Sequence, residues 1–168
     1  IRPLDWLHLG WLMEKDSGER SLQDYRCGYV QVQPSHPGIT LLFGHLTAES
    51  GQGLVFSHPG QWSDAWDGLA AAKRRIKTVR PYLSTDENAG LFGGALQWES
   101  DRLQAALLWS RTPVDASVEN DSIRSFIATG LHRSDVELAS QNQVQKTAAG
   151  GVVRWQPSTG LRLGLCMQ

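Results

Sequence analysis

No window of this sequence holds the run of about 20 apolar residues that a membrane-crossing helix needs, so any passage through a bilayer falls to strands. Charge of one sign is missing too. The 168 residues carry a formal net charge of -1, which leaves neither the basic stripe that grips nucleic acid nor an acidic tail. Cysteine is scarce. Cys27 and Cys166 stand far apart without metal-ligand spacing, which fits isolated structural thiols and leaves a disulfide between them open. The histidines His8, His36, His45, His58 and His132 show no i,i+4 or HExxH pairing, so the sequence offers no metal site. A GxSxG nucleophile elbow is absent, and no cofactor motif stands out. Ile1-Arg2-Pro3 runs straight into Leu4-Asp5-Trp6-Leu7, so we expect no secretory leader within this stretch. Strand-like runs at both ends lead us to expect an internal portion of something longer.

What is present is alternation. Val152-Val153-Arg154-Trp155-Gln156 and Leu161-Arg162-Leu163-Gly164-Leu165 flank Pro157-Ser158-Thr159-Gly160, a β-hairpin pattern. Val153, Trp155, Leu161, Leu163 and Leu165 share one face; Arg154, Gln156, Arg162 and Gly164 share the other. A soluble sheet buries the apolar face, whereas a membrane barrel turns it to lipid and keeps the polar face for a watery lumen. Alternation alone leaves both open.

Further strands are expected at Leu7 to Met13, Tyr25 to Gln33, Ile39 to Thr47, Leu91 to Glu99, Leu103 to Arg111 and Ile123 to Leu131. Between Gly51 and Asn88 the rhythm changes. Ser63 to Arg80 carries Ala65, Trp66, Leu69, Ala72, Ile76 and Val79 at helical spacing before Pro81, which predicts one helical insertion. Val114 to Ser122 and Ser134 to Thr147 read as long polar loops. Three features favour the bilayer. The strands reach nine to eleven residues, the span of a tilted transmembrane strand. Short turns alternate with long loops. Seven tryptophans are many for this length, and Trp98, Trp109 and Trp155 fall near strand ends, where indoles settle at a headgroup layer.

Chemistry is weakly signalled. His132, Arg133 and Glu137 could be assembled into a catalytic set, as could Ser84, His132 and Asp86 or Glu87, but chance groupings of this kind are common. The stronger reading is ionic: Arg80, Asp86, Glu87, Arg133, Asp135 and Glu137 mix both signs beside strands. Arg80 with Glu87, and Arg133 with Glu137, are expected to form a lumenal or rim network that holds the 51–88 insertion inside or across a barrel. The alternative is an external loop.

Four blocks carry a resemblance. Glu14-Lys15-Asp16-Ser17-Gly18-Glu19 is followed by Ser50-Gly51-Gln52-Gly53-Leu54. Arg80-Pro81-Tyr82-Leu83-Ser84-Thr85-Asp86-Glu87 then leads into Phe92-Gly93-Gly94-Ala95, and Gly130-Leu131-His132-Arg133-Ser134-Asp135-Val136-Glu137 closes the series. In this order they resemble the β-barrel region of helix-hairpin-helix-containing outer-membrane proteins of Bacteroidetes-type bacteria. Ser134 replaces an expected threonine, and Gly93-Gly94 an Arg-Gly pair. The resemblance implies a single partial domain over 1–168 that lies in a Gram-negative outer membrane, with the lipid bilayer and the remaining strands of the same longer chain as partners. It implies no direct nucleic-acid contact by this segment. The expected fold is therefore all-β, an antiparallel transmembrane β-barrel fragment of meandering hairpins with one partly helical insertion. The expected role is pore, transport or envelope assembly, with no reaction implied. A surface-binding or DNA-uptake-associated barrel, a membrane-embedded hydrolase and a soluble β-sheet binding domain are the alternatives.

Overall fold

The structure is a computed structural model that describes residues 4–15, 25–34, 38–49, 79–87, 89–119, 122–127, 133–158 and 161–167. Antiparallel sheet dominates it. The strands are β1 (Leu7–Glu14), β2 (Tyr25–Val32), β3 (Ile39–Ala48), β4 (Val79–Pro81), β5 (Leu91–Glu99), β6 (Leu103–Val114), β7 (Ala116–Glu119), β8 (Ser122–Phe126), β9 (Val144–Ser158) and β10 (Leu161–Met167), with one short helix, α1 (Asp135–Ser140). The main sheet runs β1-β2-β3-β5-β6-β9-β10, and β4 pairs with β3 off this path. Every neighbour along the path is its chain neighbour in the meander, and all pairings are antiparallel. The three connections at one end are short (33–38, 100–102 and 159–160). Those at the other end are long and hold β4, the β7–β8 hairpin and α1. The path is open: among the described residues β1 and β10 do not pair, and no closed barrel forms.

The register assigns the two faces. Residues paired across neighbouring strands point to the same side. One row joins Leu9 to Val30, Val30 to Phe43, and Phe43 to Gly94, which pairs with Trp109. Another joins Leu41 to Leu96, Leu96 to Leu107, and Leu107 to Gly151, which pairs with Met167. This outer face is apolar from β1 to β10 and exposed: Leu9, Trp11, Phe43, Leu107, Trp109 and Leu165 each show more than half of their surface. Aromatic rings lie across glycines of the next strand, Trp11 over Gly28 and Phe43 over Gly94, where any side chain would collide with the ring or crowd it. Such pairs cover backbone that glycine would leave bare.

The inner face holds small and polar groups around a compact apolar cluster: Leu42, Leu46, Ala48, Val79, Ala95, Ala106, Leu108 and Val152. Leu46 and Ala48 join it from the end of β3, and Val79 from β4. Gly44 has a φ of 103°, a left-handed conformation that costs glycine little and other residues much; a β-carbon there would also run into the Gly28 carbonyl. Beyond it Leu46, Thr47, Ala48 and Glu49 are all buried. A strand facing solvent on one side would bury alternate residues only, so this stretch is covered on both sides.

Several expectations need adjusting. The predicted helix lies outside the described residues except for its last two, Val79 and Arg80, which open β4. Within the expected loop 134–147 lie α1 and the start of β9, which is 15 residues long. Val114 to Ser122 and the strand from Ile123 include β7 and β8, a separate two-stranded hairpin. Periodicity missed β7 and α1, which carry no apolar stripe, while the strand expected from Ile123 falls on β8, which ends at Phe126.

Candidate functional site: the polar inner face and its strap

The bent end of β3 and the three residues of β4 form a strap over the inner face. Leu46 pairs with Pro81, and Ala48 with Val79. The strap is fixed to β5 by one amide. Val79 N–H donates to Gln97 Oε1 at 3.4 Å, and Gln97 Nε2 donates back to the Val79 carbonyl at 3.0 Å. Gln97 pairs with Thr40, near the start of β3, so the end of the same strand has come back across the sheet. A glutamine suits this position because its amide offers a donor and an acceptor in the geometry of a strand neighbour.

Charge adds a second fastening. Arg80 Nη2 lies 3.0 Å from Glu49 Oε1, and the Glu49 side chain is 6 % exposed against 34 % for Arg80. The approach is too oblique to count as a hydrogen bond to that oxygen, so the contact is an ion pair by proximity. A third comes from the next residues. Tyr82 N–H donates to the His45 carbonyl at 2.9 Å, the buried Cys27 thiol points to the Tyr82 carbonyl at 3.6 Å, and the Tyr82 hydroxyl donates to the Asp86 carbonyl at 2.6 Å. Tyr82 packs against Gly90, which leaves no room for a β-carbon there. Cys27 is a free thiol.

Two cavities lie at the ends of the sheet, one of them beneath the strap. One of about 400 Å3 lies at the short-turn end, beneath β4, lined by Gln31, Gln33, Thr40, Gln97, Gln104 and Arg154 among others. The other, of about 500 Å3, lies at the long-loop end between Arg26, His45, Glu87, Phe92, Arg111 and Asp115. His45 Nδ1 sits 3.1 Å from the Gly28 amide nitrogen and 3.2 Å from its carbonyl oxygen, and its ring meets Phe92 edge-on at 5.0 Å. Among the described residues no cluster of His, Cys, Asp or Glu has the makings of a metal site.

The residues singled out from sequence divide among three places. Arg80 belongs to the strap, with Glu49 as its ion-pair partner. Glu87 lines the long-loop cavity, a different one from the cavity that Arg80 lines. Asp86 closes the Tyr82 loop: its carbonyl takes the tyrosine hydroxyl, and its N–H points to Ser84 Oγ at 3.4 Å. Arg133 and Glu137 do come together, but through backbone. Glu137 Oε2 accepts the N–H groups of Ser134 at 2.8 Å and Arg133 at 2.9 Å, while Ser134 Oγ accepts the Glu137 N–H at 3.3 Å. This capping box opens α1. The Ser134 amide foremost, with the Arg133 amide and the Ser134 hydroxyl, holds the Glu137 carboxyl below its ordinary value. His132 lies outside the described residues. Sequence reading missed Glu49 and Gln97. Glu49 had a usable signal, a carboxylate that directly follows an apolar strand; Gln97 had none, since its role depends on a strand returning over it.

Comparison with protein-family models, with curated proteins and with solved structures gives no match.

Proposed function

We propose that this chain forms part of the wall of an outer-membrane β-barrel, in which the outer face meets lipid and the inner face meets a hydrated lumen partly crossed by the strap. The protein would act as a pore, transporter or envelope-assembly component. The observation that carries this is the outer face. Its exposed Leu, Val, Met, Phe and Trp side chains, shared among seven strands, leave on the order of 1,500 Å2 of apolar surface, against the few hundred Å2 found in the largest patches of soluble monomers. At about 25 cal/mol per Å2 that is several tens of kcal/mol of burial left unrealised in water, more than the roughly 5–15 kcal/mol that holds an ordinary domain together.

Three further features support the reading. β3, β5, β6 and β9 have 9 to 15 residues, enough for a tilted strand to cross. Trp98 and Trp155 mark the short-turn margin of the outer face, and Trp11, Phe43, Phe92 and Trp109 the opposite margin, as girdles would. Short and long connections segregate to opposite ends. The four sequence blocks that resemble helix-hairpin-helix-containing outer-membrane proteins point to the same location. In lipid, unpaired strand edges are too costly to persist, so β1 and β10 would pair with further strands of the same longer chain.

The test is tryptophan quenching in vesicles of dibrominated phosphatidylcholine. Outward indoles in contact with acyl chains lose most of their emission relative to unbrominated vesicles. Equal emission in the two lipids, with the protein folded in both, would overturn the proposal.

A further inference from the structure

The cavity beneath β4 is lined unlike an ion path. At the short-turn end of the inner face, the register sets Gln31 beside Leu42, Thr40 beside Gln97, and Gln104 beside both Glu99 and Arg154. Gln33, just past the end of β2, lines the same cavity as Gln31, so amide and hydroxyl groups converge under the strap from β2, β3, β5 and β6. The charges present are already engaged. Arg80 faces Glu49, Gln104 Nε2 donates to Glu99 Oε1 at 2.6 Å, and Arg154 also has a partner. Ion-selective constrictions use rings of one charge or of carbonyl oxygens. Side-chain amides instead present a donor and an acceptor at once, the arrangement that matches a hydroxyl group, which is both.

Resting on the proposed lumenal position of this face, we infer that the cavity binds a neutral polyhydroxylated solute of the sugar class, with β4 as its roof and Gln31, Gln33, Thr40 and Gln104 as its hydroxyl-reading groups. Its volume of about 400 Å3 lies within the range of small-molecule sites, roughly 300–1,000 Å3. Charged relatives of the same size are disfavoured because the lining charges, Arg80, Glu99 and Arg154, already have partners, so the counter-charge they offer is reduced while the hydration lost is not.

The intact protein is reconstituted into vesicles, and osmotic swelling is followed with glucose, anionic gluconate and cationic glucosamine. Glucose should enter about three- to tenfold faster than either ion, the worth of one neutral hydrogen bond. In Gln31→Glu, which keeps the side-chain size, the preference should move toward glucosamine and away from gluconate; a purely structural role for Gln31 would slow all three solutes together. Entry of gluconate or glucosamine at the glucose rate overturns the inference. So does the absence of swelling with all three when brominated lipid still quenches the indoles, a result that leaves the membrane wall standing. Loss of the quenching itself would overturn the membrane reading instead.

Discussion

Leu107 stands near the middle of the outer face, two residues from Trp109 and two from Ala105, the partner of Trp98, and it is 62 % exposed. Replacing it with arginine separates the two environments open to that face. In water, a leucine already this exposed can become arginine with a change within about 0.5 kcal/mol, and solubility improves. In the middle of a hydrocarbon layer the same change costs about 2–4 kcal/mol. At 1.4 kcal/mol per decade, that range is a roughly 30- to 700-fold shift in the folding equilibrium. The assay is reversible urea unfolding in phosphatidylcholine vesicles, followed by tryptophan emission, with Leu107→Ala as a packing control and Ala105→Arg as a charge control nearer the margin. Leu107→Arg should lose the full amount, Ala105→Arg clearly less. If Leu107→Arg unfolds at the wild-type midpoint, or folds as a monomer in buffer without lipid, the assignment of that face to lipid fails.

Four other outcomes follow from the same structure. Gly44→Val should destabilise by about 1–3 kcal/mol or more, since it demands a left-handed backbone and collides with the Gly28 carbonyl; urea midpoints check it, and Gly90→Ala serves as a comparison for crowding without that backbone. Arg80→Met should cost about 2–3 kcal/mol, below the 3–5 of a fully buried pair because Arg80 is partly hydrated. Adding Glu49→Gln should recover part of the loss in a double-mutant cycle. Ser134→Ala removes the helix cap and should weaken α1 by about 1 kcal/mol, read as faster amide exchange in Asp135–Ser140 with the sheet unaffected. The Glu137 carboxyl is held below its ordinary value, so its contribution to that cap is complete above the normal carboxylate range and disappears as pH falls through the lowered value. Amide exchange in α1, corrected for intrinsic rates, should rise over that acid interval in wild type and not in Glu137→Gln.

The main meander was legible because its strands alternate strongly. Leu91–Glu99 lies where the pattern puts it, and Leu163 and Leu165 are exposed on the face opposite Arg154, as the sidedness of the closing hairpin requires. Short polar elements were less legible: β7 and α1 carry no apolar stripe, while the strand expected from Ile123 falls on β8 over its first residues. The strap was partly legible. Arg80 was singled out as an ionic anchor; its partner Glu49 was signalled only as a carboxylate directly after an apolar strand, and the pairing itself depends on β4 lying along the end of β3. Local rules read each residue against its neighbours in the chain, and here the deciding neighbour is a later stretch of the same strand, turned back on itself.

β6 and β9 stay paired from Leu103 to Val114, five residues past Trp109, which carries the ladder about 17 Å beyond the last indole of β6 at 3.3 Å per residue. At its tip Asp115 ties three segments together: its carbonyl takes the Ile127 N–H at 3.0 Å and its carboxylate the Asn142 N–H at 2.8 Å. The pair is a mast with a knot at the top. On the proposed membrane reading, whatever meets the β7–β8 hairpin or α1 would do so at a set height above the outer-face indoles, on a two-stranded post instead of a slack tether.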